Sequence, residues 1–358
     1  MARRRQKAAG APPVDGLGIA PEALGAWAEA RVPGFAGLGR VSRFGTGQSN
    51  PTYRIEAESG SYVLRAAPPG PLLPKAHQVR REAVAMAALA GTGVPVPEVL
   101  ASVAAAETPF GRDCFVMRFK AGRVFADPAL PEVPRAERSA CYAAMAGVLA
   151  SLHGLDPGAL GLSDFGRPTG YFERQSGLWA RAYRASAGEP LPDMLRIEAW
   201  LAGNLPPDGP PARLLHGDFR HDNMIFDAGA PEVRALVDWE LATLGPPVAD
   251  LAYQAMQLRL PHDGAMPGLG GLDRAALGLP SEAELVGAYV ARAGEASLRD
   301  WRFALVFAAF RLAAILEGVA RRARDGQGPN PAIGGRYGAA VPELAALALT
   351  EAAGRGGA

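Results

Sequence analysis

The apolar residues of this chain fall mainly at strand spacing before about residue 120 and mainly at helical spacing after it, and that shift limits the fold more than any other feature. Before it, "RVSRF", "TYRIEA" and "YVLRAA" alternate or cluster apolar residues over strand lengths, broken by "GTGQSNP" and "ESGS". That is the pattern of a three-stranded antiparallel meander. "AHQVRREAVAMAALAG" then reads as a helix, with Val79, Val84 and Leu89 at helical spacing and Gly91 as its stop, and "VPVPEVLASVA" and "DCFVMRF" read as two more strands. From Arg123 onward the pattern is helical, as in "RAERSACYAAMAGVLASLHGL" and "DWRFALVFAAFRLAAILEGVARRAR". In the second of these, Trp301, Leu305, Leu312, Ile315, Leu316 and Val319 make one apolar face. Strands followed by helices predict an α+β architecture: a small N-terminal part with a five-stranded antiparallel sheet and one helix inserted after the third strand, then a larger helical part.

Smaller features fill in this outline. Residues 1–17 have no apolar periodicity and read as a disordered basic tail, and "IAPEALGAWAEARV" reads as a short opening helix. In the helical part, "LLHGDFRHDNMIFD" and "VRALVDWE" are expected to contribute two short strands, and the glycine-rich "AMPGLGGLDRAALGLP" a surface loop. With 358 residues, 49% of them hydrophobic, the chain can bury a large core. Its net charge of +1 gives no basic excess to suggest nucleic acid or an anionic membrane as a partner. "FALVFAAFRLAAIL" is broken by Arg311 and reads as too short for a bilayer span, and no secretory signal is expected. Cys114 and Cys141, each bordered by apolar residues and without metal-ligand spacing, read as buried thiols of a cytoplasmic protein.

Between Leu214 and Asp227 lie His216, Asp218, His221, Asp222, Asn223 and Asp227, flanked by short apolar runs. HxD followed by a second histidine matches no dependable zinc spacing, and a turn made by Asp222 and Asn223 explains only two of the six. The order HxDxxxxN is more informative. Asn223 lies five residues after Asp218, and Asp238, at the end of the apolar "ALVDWE", lies fifteen residues after Asn223.

The motifs "HGDFRHDN", "VDWE" and "VADLAY" resemble those of the aminoglycoside phosphotransferase family, whose members share a bilobal, protein-kinase-like fold. Together with "GQSNPTY", "YVLR" and "PPG", the arrangement looks most like the kinase-like domain associated with acyl-CoA dehydrogenases. The resemblance runs from about Val41 to at least Tyr253 and implies an N-terminal nucleotide-binding lobe over 18–117, a hinge over 118–122 and a helical lobe over 123–358. It also implies roles: Asp218 faces the acceptor hydroxyl, while Asn223 and Asp238 supply hard oxygen ligands to Mg²⁺. His216 holds the loop by bonding to backbone, and Asp250 braces the same loop, a role compatible with a helix N-cap. His221, Asp222 and Asp227 read as turn and solvent residues. Arg220 is open between a phosphate contact and an ion pair with a nearby carboxylate.

In "FGTGQSNPTYRI" the third glycine of a dinucleotide fingerprint is missing and a strand follows, so the stretch fits a nucleotide-covering hairpin instead. Gly45 and Gly47 allow close backbone approach, and Ser49 and Asn50 offer donors to phosphates. On the third strand the family usually has a lysine paired with a glutamate on the next helix. This chain has Arg65, with Glu82 as the natural partner, and an ordinary salt bridge is the plain alternative. "FVMRFKAG" resembles the hinge, where the Arg118 carbonyl and the Lys120 amide would meet the base and Met117 would line its pocket.

The implied function is an ATP- and Mg²⁺-dependent kinase of a small hydroxylated molecule, with GTP as an open alternative to ATP. From Leu251 onward there are 10 acidic and 11 basic residues, with Arg311, Arg321, Arg322 and Arg324 on one helical segment. That balance disfavours a polycationic acceptor and suits a neutral or anionic one, although a solvated helical face is the plainer account of the arginines; the resemblance to the acyl-CoA dehydrogenase-associated domain implies a hydroxyacyl-CoA. The alternative is a nucleotide-binding pseudokinase with a regulatory role, which Arg65 favours and the retention of Asp218, Asn223 and Asp238 opposes. A protein kinase fits less well, because only "LATLGPP" separates "DWE" from "VADLAY".

Overall fold

The computed structural model describes residues 13–45, 50–70, 78–209, 211–326 and 331–354. The chain divides into two compact units, 1–87 with 97–120, and 88–96 with 121–358.

In the first unit, helix α1 (Pro21–Arg31) precedes the meander β1 (Leu38–Arg43), β2 (Thr52–Ala57) and β3 (Gly60–Ala66). Ala57 pairs with Gly60, so only Glu58 and Ser59 turn the second hairpin. After α2 (Val79–Leu89), the strands β4 (Val99–Val103) and β5 (Cys114–Arg118) complete an antiparallel sheet in the order β1-β2-β3-β5-β4. Strand β5 lies inside the sheet between β3 and β4, and Cys114, Phe115, Val116 and Met117 are all buried, as expected for a strand covered on both faces. One sheet face carries Tyr53, Ile55, Tyr62, Leu64 and Val116 and packs with Leu24, Trp27 and Ala28 of α1 in one core. Each such aromatic or branched side chain contributes about 1.5–3 kcal/mol on burial.

The second unit holds α3 (Arg135–Gly154), α4 (Tyr171–Ser186), α5 (Pro192–Gly203), β6 (Arg213–Leu215), β7 (Met224–Phe226), β8 (Val233–Leu236) and β9 (Thr243–Gly245). These are followed by α6 (Val248–Arg259), α7 (Arg274–Leu277), α8 (Glu282–Ala293), α9 (Trp301–Arg324) and α10 (Pro331–Ala352). Where two strands were expected there are four, forming two antiparallel pairs, β6 with β9 and β7 with β8. Three-residue strands such as β6 and β9 are too short to show alternation. The segment 88–96 joins this unit, where the Pro95 carbonyl accepts from the Leu236 N–H at 2.8 Å.

Two further expectations are corrected. The glycine-rich segment is not a simple surface loop. Met266 and Leu269 are buried, Pro261 bridges to Gly270, and α7 forms within it. At Gly268 a Cβ would overlap the carbonyls of Gln257 and Leu260, so the close approach excludes any side chain. Helix α9 also exceeds the one-sided pattern. Phe303, Val306, Phe307 and Phe310 are buried along with Leu305 and Leu312, and the helix forms the centre of the larger core. Phe172 of α4 packs edge-on against Phe303 and Phe307 at 4.9 and 5.4 Å. At 24 residues with a window of mean hydropathy 2.0, α9 does satisfy the length and composition of a membrane span, contrary to expectation, but 78% of that window is buried inside the protein. Its polarity is thus that of a helix enclosed by other helices.

Candidate active site

Strand β6 delivers the polar loop. Leu214 and Leu215 are fully buried, which fixes the strand, and His216, Gly217 and Asp218 follow directly. Gly217 has φ +84, and a Cβ there would overlap the Leu241 carbonyl, so the turn needs glycine on two counts.

Asp250 organises this turn from the first turn of α6. Its Oδ2 accepts from the His216 N–H at 2.7 Å and its Oδ1 from the Gly217 N–H at 3.0 Å. The N-cap of α6 is Pro247, so Asp250 acts as the brace and not as the cap. His153 of α3 places Nε2 at 3.5 Å from Asp250 Oδ2, an electrostatic contact outside hydrogen-bond geometry, while its Nδ1 meets the Tyr289 hydroxyl at 2.8 Å. Burial opposes the charge on Asp250, but the contacts with His153 and His216 prevail and hold its carboxyl below the usual range.

His216 is fully buried, with its ring 4.7 Å from that of Trp239. Its Nε2 faces the Val237 carbonyl at 2.9 Å and its Nδ1 accepts from the Asp218 N–H at 3.2 Å. This pair of contacts puts the proton on Nε2 and leaves neither nitrogen for a metal. The backbone-holding role fits.

The Asp218 carboxylate is fixed at both oxygens. Asn223 Nδ2 donates to Oδ2 at 2.9 Å and also to the Asp218 carbonyl at 2.9 Å. The Tyr253 hydroxyl of α6 donates to Oδ1 at 2.6 Å. Burial first, then the Asp218 charge, push the Tyr253 phenol well above its ordinary range, so it stays a donor. Reading by motif missed Tyr253, although its position three residues after Asp250 on one helix put both on the same face.

Asn223 and Asp238 come together through the register of β7 and β8. Met224 pairs with Leu236, and one step beyond the ladder the Val237 N–H donates to the Asn223 carbonyl at 3.0 Å. Because Nδ2 serves Asp218, the amide oxygen of Asn223 has no hydrogen bond among the described residues. Asp238 has φ +67, a left-handed conformation that disfavours side chains other than glycine and tends to persist at functional sites. Among the described residues no group of three histidines, cysteines or carboxylates is placed to hold a metal ion. One carboxylate and one amide oxygen nevertheless fit Mg²⁺, which takes few protein ligands when phosphates and water supply the rest.

The neighbouring residues are clearly assigned. Arg220 makes a two-point ion pair with Asp222, so of its two readings the pair is the one formed. The two carboxylates beside it outweigh the cost of its burial. Asp222 is therefore paired, and His221, expected in solvent, is buried, with Nε2 3.4 Å from the Ala126 carbonyl and its pKa lowered by that burial. The single 3-10 turn His221–Asn223 tucks it inward. Asp227 caps its own turn, accepting from Gly229 and Ala230.

In the first unit Glu82 is 1% exposed and accepts from Arg65 Nε at 2.9 Å and from Asn50 Nδ2 at 3.0 Å. Arg65 also donates to the Thr52 hydroxyl at 3.3 Å. Asn50, expected as a phosphate donor, is itself buried and turned toward Glu82. Gly45 closes the described part of the hairpin, while Gly47 and Ser49 lie outside the described residues. Met117 is buried in β5, and the Arg118 side chain stacks over Tyr62 at 5.1 Å. The Lys120 amide has no hydrogen-bond partner among the described residues.

The phosphotransferase enzyme family profile matches residues 40–307. Acyl-CoA dehydrogenase family member 11 of Rattus norvegicus is 38% identical over 304 residues, covering 84% of this chain and 39% of that protein. Its counterpart in Gallus gallus is 41% identical over 298 residues, covering 81% and 38%. This chain thus spans about two-fifths of the length of these curated relatives. A solved structure from Ralstonia eutropha JMP134, assigned by likeness to the aminoglycoside phosphotransferases, is 39% identical with a TM-score of 0.81 over 93% of this chain and 98% of that one. An aminoglycoside phosphotransferase solved with ADP and hygromycin B is 14% identical with a TM-score of 0.57, covering 90% and 96%, a likeness of fold alone. The fold is that of the kinase-like phosphotransferases, and the chain belongs to the aminoglycoside phosphotransferase family of phosphotransferase enzymes.

Proposed function

We propose that this chain is an ATP- and Mg²⁺-dependent kinase acting on a hydroxyl of a small molecule, with a hydroxyacyl-CoA as the foremost acceptor class. The observation that carries the reading is the clamp on Asp218: Asn223 and Tyr253 hold its carboxylate, and Asn223 is in turn tied to the strand end that carries Asp238. The acyl-CoA class is supported by relatives whose names describe acyl-CoA dehydrogenases, of which this chain matches about two-fifths.

Phosphoryl transfer depends mainly on positioning and on offsetting charge. In the proposed reaction the acceptor hydroxyl donates to Asp218. As its oxygen bonds to the γ-phosphorus and the bond to the ADP oxygen breaks, the proton passes to the Asp218 carboxylate. Tyr253 and Asn223 keep that carboxylate in one rotamer, which removes reorientation from the barrier. Asn223 and Asp238 would hold Mg²⁺, whose bound charge offsets that of the phosphate oxygens. In the first unit Arg65, oriented by Glu82, would supply positive charge to the nucleotide phosphates, and the Lys120 amide would donate to its base.

The test combines thermal shift by ATP, with and without Mg²⁺, with phosphate transfer to a panel of hydroxyacyl-CoAs, sugars and amino alcohols. Asp218→Ala is expected to abolish transfer while leaving Mg²⁺-dependent ATP stabilisation in place. Unaltered turnover would remove Asp218 from the reaction, and stabilisation by MgATP with no acceptor consumed by the wild type would favour the pseudokinase reading.

A further inference from the structure

The four arginines grouped on α9 in the sequence have different surroundings in the structure. Arg321, Arg322 and Arg324 are exposed, with Arg321 paired to Asp325 at 2.8 Å and Arg324 to Glu317 at 2.6 Å. Arg311 is 5% exposed. Its guanidinium lies between the rings of Trp179 and Tyr253, at 5.7 and 5.6 Å from their centroids. Among the described residues its Nε has no hydrogen-bond partner and no carboxylate comes within ion-pair distance of it. A guanidinium that is largely buried with no carboxylate beside it is costly, and two aromatic faces offset only part of that cost.

The location of this unmet demand points to a ligand. The ring that stacks on Arg311 is that of Tyr253, whose hydroxyl donates to Asp218, so guanidinium and carboxylate flank one phenol. The two rings border the guanidinium without offering it an oxygen partner, so its N–H groups remain available to an oxygen acceptor. We infer that Arg311 anchors an oxygen acceptor group, a carboxylate or a thioester carbonyl, of the same small molecule whose hydroxyl faces Asp218. This rests on the proposed kinase reading for the hydroxyl, but not for the chemistry that Arg311 recognises. A polycationic acceptor would be repelled at this position.

The test uses three series of graded chain length: hydroxy acids, their CoA thioesters, and diols of the same skeletons. Melting temperatures are measured with each compound in the absence of nucleotide, and steady-state kinetics follow, for the wild type, Arg311→Met and Arg311→Lys. Acids or thioesters are expected to raise the wild-type melting temperature, and diols are not. In Arg311→Met that rise should vanish and the acceptor KM should increase on the order of 10- to 100-fold, with the KM for MgATP unchanged. Its ligand-free melting temperature should equal or exceed that of the wild type, because an unpaired charge has been removed. Arg311→Lys, which keeps the charge without the fork, should recover part of the affinity.

The anchor is overturned if no compound stabilises the wild type, if diols bind as well as acids and thioesters, or if the rise persists in Arg311→Met. A lower ligand-free melting temperature with unaltered acceptor KM also overturns it, since that is the mark of a purely structural brace. The two readings fail separately. Stabilisation lost in Arg311→Met with no compound phosphorylated removes the kinase and keeps the anchor, whereas equal KM in both proteins keeps the kinase and removes the anchor.

Discussion

Asp250→Asn should destabilise the second unit by about 3–5 kcal/mol. The carboxylate is 1% exposed and accepts two backbone N–H groups, from His216 and Gly217. An asparagine keeps one accepting oxygen and turns an NH₂ toward the other N–H. One hydrogen bond to a charged group, about 1.5–3 kcal/mol, is lost, and a buried donor left unmet adds about 1–3 kcal/mol. For a unit of this size the melting temperature should fall on the order of 10 °C at neutral pH, measured by calorimetry. The pH dependence has a definite sign. The carboxyl of Asp250 titrates below the usual range when folded, so its contribution is fully present above the unfolded value of about 3.9 and fades as pH falls through its lower folded value. The stability gap between wild type and Asp250→Asn should therefore hold from neutral pH down to about pH 4 and narrow below it. A loss under about 1 kcal/mol, or a gap that does not narrow in acid, would refute the assignment of Asp250 as the charged brace of the loop.

Three other outcomes follow from contacts described above. Tyr253→Phe keeps the ring against Arg311 and removes the 2.6 Å bond to Asp218, so kcat should fall on the order of 10-fold with both KM values little changed; an unchanged kcat would show that Asp218 needs no such clamp. Arg65→Met, which removes the guanidinium 2.9 Å from buried Glu82, should cost about 3–5 kcal/mol in urea unfolding, whereas Arg65→Lys should cost about 1 kcal/mol for the lost Thr52 bond; equal costs would contradict the pairing. Burial, with the Asp113 charge behind it, pushes the Cys114 thiol up to about 12 and also raises Cys141, so a thiolate reagent at mildly alkaline pH should label neither until the protein unfolds, which mass spectrometry of the native protein would check.

The sequence was most informative where spacing and chemistry coincide. The interval from Asp218 to Asn223 and on to Asp238 predicts two loops meeting at one place, and the β7–β8 register brings them there. The meander, the inserted helix and the two later strands were legible because apolar runs of strand length, helical apolar spacing and the glycines and prolines between them are all local signals. The position of β5 between β3 and β4 was not, because pairing order is decided by contacts far apart in sequence. Strand β9 escaped for lack of length, as did the division of the stretch 214–227 into two strands, β6 and β7. Burial of polar residues was the least legible property. Asn50 looks like a loop donor, His221 like a turn residue and Arg311 like one more arginine of a solvated face, yet all three are enclosed by residues from other elements. Periodicity reports which face of a helix is apolar, and α9 is enclosed on nearly every side, so a single face underestimated it.

The path of the chain bears on how such a protein can be divided or recombined. Residues 88–96 are encoded within the first unit yet belong to the second, where Pro95 holds the edge of β8. A single cut between residues 120 and 121 would leave this segment on the wrong fragment and β8 without that bond. Exchanging units between relatives by one crossover there would mix the two packings, so a clean exchange needs three junctions, after Ala87, Val96 and Lys120. During synthesis the same interleaving means that residues 88–96 emerge well before their partners, and Pro95 must wait for Leu236, more than a hundred residues later, before its carbonyl is satisfied.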